Sequence, residues 1–174
     1  AHGLSVILDA ASRLQEYSNI QFVVVGYGAE ADKLQSQAEQ RGLTNVQFVG
    51  KRPKEQIPDF LALSDISLVH LRNAQIFQSA IPMKLIEAMA SGTPVLLGIH
   101  GEAMRIVQES ETGLTFTPED GEEMAEKILY LKEESNENKM GKKGRSYVRK
   151  NFSWDVIADE YIRNIQNSVS HKSG

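Results

Sequence analysis

The sequence contains no cysteine, few aromatic residues and no long apolar run, and each shortage excludes a class of function. Without cysteine, the 174-residue chain has no disulfide, thiolate metal site or cysteine nucleophile. No run of about 18 apolar residues occurs, so the sequence predicts no membrane-spanning helix. Aromatic residues make up 7% of the chain and its net charge is −4, which disfavours nucleic acid as a partner. We expect a cytoplasmic protein, because a chain free of cysteine fits a reducing compartment.

Metal-binding patterns are missing as well. No Asp-x-Asp motif occurs, and the four histidines, at 2, 70, 100 and 171, are scattered. We therefore expect no metal site and no cofactor. Apolar residues make up 41% of the chain, enough for one domain with a core of its own.

Segments whose apolar residues have a helical spacing alternate along the chain with short, continuous apolar runs. The helical period predicts helices at 4–17, 30–42, 53–64, 82–91, 101–110, 119–134, 136–150 and 153–168. Short apolar runs predict strands at 20–26, 46–50, 66–71, 94–98 and 113–117, the first of them buried on both faces. This alternation is typical of an α/β fold with a Rossmann-like parallel sheet flanked by helices.

Ligands of such folds bind where the carboxyl ends of the strands meet. The first strand is followed by "GYGAEA", which is only a fragment of a dinucleotide-binding fingerprint. Gly26 either makes a tight turn into the next helix or allows a bound phosphate or sugar to approach the backbone closely.

The segment "IPMKLIEAMASGTPVLLG", residues 81–98, carries two charged residues inside an otherwise apolar helix. Pro82 suits the first helical position, which leaves the amides of Met83 and Lys84 free to bind an anion. Glu87 lies three residues after Lys84, on the same face. A carboxylate there suits a diol such as the hydroxyls of a ribose, so the pattern suggests a nucleotide. The alternative is an ordinary exposed ion pair.

Five segments in register resemble a known family. They are "FVVVGYGAEADKLQ", "NVQFVGKRPKEQIPDFLALSDISLV", "MKLIEAMASGTPVL", "TGLTFTPEDGEEMAEKI" and "FSWDVIADEYI". Across roughly residues 20 to 165 the chain resembles the C-terminal, donor-binding domain of GT-B glycosyltransferases of the group 1 family. The resemblance implies a Rossmann-like domain that binds a nucleotide sugar.

The family pattern implies roles for residues around the helix at 82–91. Glu87 matches the glutamate that holds the ribose hydroxyls. The family's other glutamate, which contacts the donor sugar, would fall at Ser79. Ala80, Ile81 and Pro82 replace the usual Gly-Phe-Gly before the helix, so Ile81 and Pro82 are expected to line the donor site.

Other donor contacts follow from the same resemblance. His2 falls where a lysine binds the diphosphate, and Arg52 falls where the backbone touches the base. Gly101 and Glu102 fall in a glycine loop that faces the donor sugar. The alternatives are an exposed terminal residue at His2, a surface charge at Arg52 and a capped helix start at Gly101.

The resemblance implies retaining, metal-independent transfer from a UDP-sugar to a saccharide or lipid-linked acceptor, in surface polysaccharide biosynthesis. It assigns no catalytic residue. Two rival functions stay open. A sugar-nucleotide epimerase would need an acid–base pair in the cleft, and a non-catalytic nucleotide-binding domain would bind the donor without transfer.

Two regions of different role are expected. Residues 1–150 would form the nucleotide-sugar-binding domain, and 151–174 a helix that packs towards an N-terminal domain. The chain begins without methionine and at once in a helical pattern. We expect a longer natural protein, with one more strand between those at 20–26 and 66–71 and an N-terminal domain that holds the acceptor. The fragment alone is expected to be inactive.

A basic cluster, "KMGKKGRSYVRK" at 139–150, stands out in this acidic chain. It is either a contact with anionic lipid at the inner face of the membrane or a solvated helix face.

Overall fold

The computed structural model describes residues 3–28, 30–133 and 137–153, together with positions 156, 158, 162 and 163. Its helices are α1 (Ser5–Arg13), α2 (Ala31–Gln40), α3 (Ile57–Leu63), α4 (Met83–Ser91), α5 (Glu102–Ser110), α6 (Gly121–Glu133) and α7 (Glu137–Asn151). Its strands are β1 (Phe22–Val25), β2 (Val46–Gly50), β3 (Ser67–His70), β4 (Val95–Gly98) and β5 (Gly113–Thr115). Short 3-10 turns cover Lys54–Gln56 and Gln75–Phe77.

All pairs of neighbouring strands are parallel. β1 pairs with β2, and β3, β4 and β5 form a second sheet in that order. Because the strands in each sheet share a direction, their carboxyl ends meet at one edge, where His70 lies opposite Gly98. The prediction of a parallel α/β fold is confirmed. Within the described ranges β1 and β3 are not paired, and the strand expected between them stays a prediction.

The central strand β4 shows how the core is divided into two layers. Val95, Leu96 and Leu97 are all fully buried. Leu96 packs in a cluster with side chains of α1, α2 and α6, whereas Val95 and Leu97 pack in a cluster with α4 and α5. Successive strand residues point to opposite faces, so helices cover both faces of the sheet.

The expectation that the first strand is buried on both faces is wrong. Only Phe22 of β1 is buried, and Val23 is 47% exposed. In the part of the chain that the structure describes, β1 has a partner strand on one edge only. An apolar, β-branched run therefore predicts a strand correctly, but it does not tell how many neighbours cover it.

Two prolines move the helix boundaries from their predicted positions. Pro82 is the N-cap of α4, with ψ 134°, and Met83 is the first helical residue. The helix predicted at 53–64 is divided into a 3-10 turn and α3, with Pro58 in the first turn of α3. A proline has no N–H to donate, so it favours a helix start rather than a helix interior.

The predicted strand at 113–117 ends earlier, at Thr115. The helix predicted at 153–168, and with it most of the region 151–174, lies outside the described residues. Among the helices that the structure does describe, none is both long and apolar enough to cross a membrane.

Candidate functional site

Hydrogen bonds join the loops that follow β3, β4 and β5 at the carboxyl edge of the sheet. The amide of Glu102 donates to the backbone carbonyl of Gln78 at 2.9 Å. The amide of Glu119 donates to Nε2 of His70 at 3.0 Å, and the amide of Asn73 donates to the Glu119 carboxylate at 3.3 Å. The loop that leads into α4 is therefore held from two sides.

Glu119, which makes two of these contacts, has an unfavourable backbone conformation. Its φ is 68°, in the left-handed region that non-glycine residues seldom adopt. Such a conformation costs about 1 kcal/mol or more and persists where the surroundings enforce it. His70 is part of those surroundings, because it is buried and stacked on Phe116 with ring centroids 5.9 Å apart.

The start of α4 is open to a ligand. Leu85 donates its amide to the Pro82 carbonyl at 2.9 Å, and no side chain caps the helix. The amides of Met83 and Lys84 have no hydrogen-bond partner among the described residues. These amides and the helix dipole favour an anion.

Lys84 and Glu87 are exposed, whereas Leu85, Ala88 and Met89 of the same helix are fully buried. Neither charged side chain forms an ion pair or hydrogen bond with a described residue. The ion pair of the alternative interpretation is therefore not formed. A lysine in the first turn also opposes the helix dipole, an arrangement that a bound anion would offset.

The start of α5 is different, because its groups already have partners. Gly101 is the N-cap with φ 84°, and a Cβ there would lie 2.0 Å from the Gln78 carbonyl oxygen. Arg105 donates hydrogen bonds to the Glu102 carboxylate, with its Nε at 3.2 Å, and also pairs with Glu109. The hydrogen bond from Arg105 lowers the pKa of the Glu102 carboxyl below its usual value.

The loops after β1 and β2, at the carboxyl edge of the two-stranded sheet, form the other half of the candidate site. Gly26 has φ 134° and donates its amide to Gly50 at 2.9 Å. Tyr27 is 72% exposed, and Nζ of Lys51 lies 4.8 Å from its ring centroid. Arg52 is exposed and has no partner among the described residues. This half offers an aromatic ring and two cations to a ligand.

An ion pair connects the two halves: Nη2 of Arg72, after β3, lies 3.4 Å from Oε1 of Glu30, before α2. Of the remaining predicted residues, Ile81 is 37% exposed and Met83 is 68% exposed, while Pro82 is half-buried. His2 lies outside the described residues.

A separate concavity adjoins the loop that contains Glu119. It has a volume of about 420 Å³ and is lined by Asp9, Arg13 and residues 118–122. Its charged groups are already engaged: Arg13 pairs with Glu122 at 2.9 Å, and Asp9 pairs with Arg41 at 2.5 Å. We place the candidate site at the carboxyl edge because Lys84, Glu87 and Arg52 lie there without a partner among the described residues, beside the free amides at the start of α4. Within the described ranges, no three His, Asp or Glu side chains lie close enough to share a metal ion.

Sequence reasoning did not predict the contacts of several groups that shape this edge. His70 is the last residue of β3, and Tyr27 follows β1. Such positions at the carboxyl ends of parallel strands are where ligands bind, so the sequence does carry a signal for them. Gln78 acts through its backbone carbonyl, so its side chain gives no signal. Glu102 and Arg105 stand three residues apart on one helix, and that spacing predicts a pair.

Comparisons with known proteins agree with this architecture. Residues 1–147 match the family model described as glycosyl transferases group 1. Over 140 residues the chain is 29% identical to a GDP-mannose-dependent alpha-(1-6)-phosphatidylinositol monomannoside mannosyltransferase of Mycobacterium tuberculosis, covering 78% of this chain and 36% of that protein. Over 175 residues it is 27% identical to O-antigen chain mannosyltransferase C of Escherichia coli, covering 98% of this chain and 45% of that protein.

The chain thus spans less than half the length of these curated relatives. Among solved structures, HepE of Anabaena in complex with UDP-glucose has the same fold. Its TM-score is 0.79 at 22% identity, and the match covers 95% of this chain and 45% of that chain. Because the family model matches most of the sequence, this chain belongs to the glycosyl transferases group 1 family.

Proposed function

We propose that this chain is the part of a glycosyltransferase that binds the nucleotide-sugar donor. Its family and its parallel α/β fold support this function. The proposed reaction transfers a sugar from a nucleoside diphosphate to a hydroxyl group, with the anomeric configuration retained.

One observation carries the proposal: Lys84 and Glu87 make no ion pair with each other or with another described residue. In the proposed complex the donor diphosphate accepts hydrogen bonds from the amides of Met83 and Lys84. The Lys84 ammonium adds a full positive charge beside them. The Glu87 carboxylate accepts hydrogen bonds from the two ribose hydroxyls.

In this proposal Lys84 and the amides at the start of α4 act electrostatically. The bond between the anomeric carbon and the diphosphate oxygen breaks, and its electron pair stays on that oxygen. Positive groups aimed at this developing charge stabilise the departing diphosphate. In this proposal Lys84 and the start of α4 supply that stabilisation without a metal ion. The acceptor hydroxyl oxygen forms the new bond to the anomeric carbon, and its proton passes to the departing diphosphate.

The remaining contacts of the proposal surround the same ligand. The base would lie near the backbone of Arg52, beside Gly26, and the donor sugar near Gly101 and Glu102. His2 would contact the diphosphate. Ile81 and Pro82 would line the approach to the start of α4.

The named proteins suggest which donor and acceptor to test. HepE was solved with UDP-glucose, whereas the Mycobacterium relative is named as GDP-mannose-dependent. We propose UDP as the first donor nucleotide and GDP as the second to test. The relatives are named for a phosphatidylinositol mannoside and an O-antigen chain. We therefore propose a saccharide or lipid-linked acceptor in surface polysaccharide biosynthesis, held by an N-terminal domain.

Calorimetric titration of the chain with UDP and with GDP tests the proposal. We expect one of the two to bind, and Glu87→Ala to weaken that binding by about 1 to 3 kcal/mol, the range for hydrogen bonds to a charged group. Glu87→Gln keeps an acceptor but removes the charge, so we expect a smaller loss. The control is Glu126→Ala, which removes an exposed carboxylate from α6.

Equal affinity of Glu87→Ala and the unchanged chain would remove Glu87 from the ribose contact. Binding of neither nucleotide would contradict the donor-binding function itself. Tight binding without transfer, measured in a protein that carries its acceptor-binding part, would instead favour a non-catalytic nucleotide-binding domain.

A further inference from the structure

Helix α7 has one face that is pressed tightly onto the rest of the fold. A Cβ on Gly141 would lie 1.9 Å from the Gly92 carbonyl oxygen, at the end of α4. A Cβ on Gly144 would lie 2.1 Å from Oγ1 of Thr112. Only glycine permits this approach, so the packed face of α7 is well defined.

Arg145 belongs to the same contact. Its Nη2 donates to the Ser91 carbonyl at 2.6 Å, and its Nε donates to the Ala90 carbonyl at 3.2 Å. These carbonyls end α4, where a cation is favourable to the helix dipole. Arg145 therefore has a structural role and is not part of a free charged surface.

The opposite side of α7 is a basic outer face. With about 100° between successive residues, one face gathers the exposed residues Lys139, Lys142, Lys143, Ser146, Arg149 and Lys150. Lys143 pairs with Glu111. The other cations of this face form no ion pair with a described residue. They are spread over about 16 Å of helix.

Such an outer face is complementary to a flat anionic surface. Four cations that form no ion pair with a described residue repel one another, and a negative surface would relieve that repulsion. A nucleic acid fits less well, because this face has no aromatic side chain on which a base could stack. We propose that the outer face of α7 docks on anionic lipid headgroups at a membrane surface.

The docking surface is distinct from the candidate donor site. Gly141 touches the carboxyl-terminal end of α4, whereas the site is at its amino-terminal end. A helix of this length separates the two ends by about 13 Å. Lipid bound near Lys139 and Lys142 would leave the start of α4 uncovered, so this proposal does not depend on the proposed function.

Sedimentation with lipid vesicles tests the docking surface. The 174-residue chain is mixed with vesicles of phosphatidylcholine alone and with vesicles that also contain phosphatidylglycerol. We expect binding only to the anionic vesicles, and release as the salt concentration rises. Each cation near such a surface strengthens binding about fivefold. The double variant Lys142→Glu/Lys150→Glu should therefore bind at least tenfold more weakly.

The matched control is Lys33→Glu/Lys132→Glu, which changes the net charge equally on the exposed surfaces of α2 and α6. We expect it to keep its vesicle affinity within about twofold, because only nearby cations contribute strongly. Circular dichroism of both double variants checks that the helix content of the chain is unchanged.

Any of four results would overturn the proposal. One is that the unchanged chain does not bind anionic vesicles, and another is that it binds neutral vesicles equally well. A third is that the two double variants lose the same affinity, which would assign the effect to net charge. The fourth is that single-stranded RNA binds more tightly than the anionic vesicles at equal salt, which would make the outer face a nucleic-acid contact.

Discussion

Helices α4 and α5 begin in similar ways and differ in what their first turns contact. Each has nine residues, follows a strand of the same parallel sheet and lacks a side-chain N-cap. Each also has opposite charges three residues apart, Lys84 with Glu87 and Glu102 with Arg105. The second pair forms an ion pair, but the first does not.

The helix dipole accounts for part of this difference. Glu102 is negative at the amino-terminal end of α5, and its partner follows it, which is the favourable order. Lys84 is positive at the amino-terminal end of α4, and Glu87 follows it, which is the unfavourable order. The charges of α5 pair within their own helix, whereas those of α4 have no partner among the described residues and are available to the proposed ligand.

The largest expected effect is on the stability of the start of α5. In Gly101→Ala the new Cβ would meet the Gln78 carbonyl oxygen, at a backbone φ of 84°. We expect the free energy of unfolding in urea to fall by about 2 kcal/mol or more, because strain and overpacking add. Gly28→Ala is the control, since a Cβ there meets nothing within 4 Å. Equal stability of the two variants would show that Gln78 does not confine α5.

A smaller effect is expected on affinity at the start of α4. Lys84→Met keeps much of the side-chain volume but removes the charge beside the diphosphate. We expect UDP to bind more weakly by about 1 to 2 kcal/mol, with a smaller dependence on salt, while binding of uridine is unchanged. Calorimetry at two salt concentrations measures this, with Lys33→Met as the control. An equal loss for uridine would place Lys84 away from the phosphates.

The smallest effect is expected from Arg105→Ala. The pKa of Glu102 should rise back towards its ordinary value, because the hydrogen bond from Arg105 lowers it. The lowered pKa of Glu102 stabilises the folded chain at pH values above the pKa that this carboxyl has in the unfolded chain. That stabilisation is lost as the pH falls through the pKa of Glu102 in the folded chain. Nuclear magnetic resonance titration of the carboxyl carbon measures the shift, with Arg13→Ala as the control. A loss of nucleotide affinity in Arg105→Ala would instead indicate that the start of α5 contacts the nucleotide.

Sequence patterns predicted the secondary structure and the character of α4 well. The apolar periods located every helix and strand within the described ranges, with shifts of a few residues at their ends. The expected apolar helix with two charges on one face agrees with α4, in which Leu85 and Ala88 are buried while Lys84 and Glu87 are exposed. These predictions succeed because helical and strand periods are local properties of the chain.

Contacts between distant parts of the chain were not predictable in this way. The burial of β1 depends on which strands lie beside it, and the role of Arg145 depends on α7 lying against the end of α4. The hydrogen bond from Glu102 to Gln78 joins two loops through backbone atoms, which every residue carries. Such contacts leave no distinct pattern of side chains.

The sequence by itself determined the parallel α/β architecture, the family resemblance and the presence of Lys84 and Glu87 on one helical face. Only the tertiary structure decided which charged groups have partners. Opposite charges three residues apart form an ion pair in α5, whereas the two in α4 form none with each other or with another described residue. A charge is free to bind a ligand only when the folded chain brings no opposite charge to it, and the spacing of two charges along a helix does not decide that by itself.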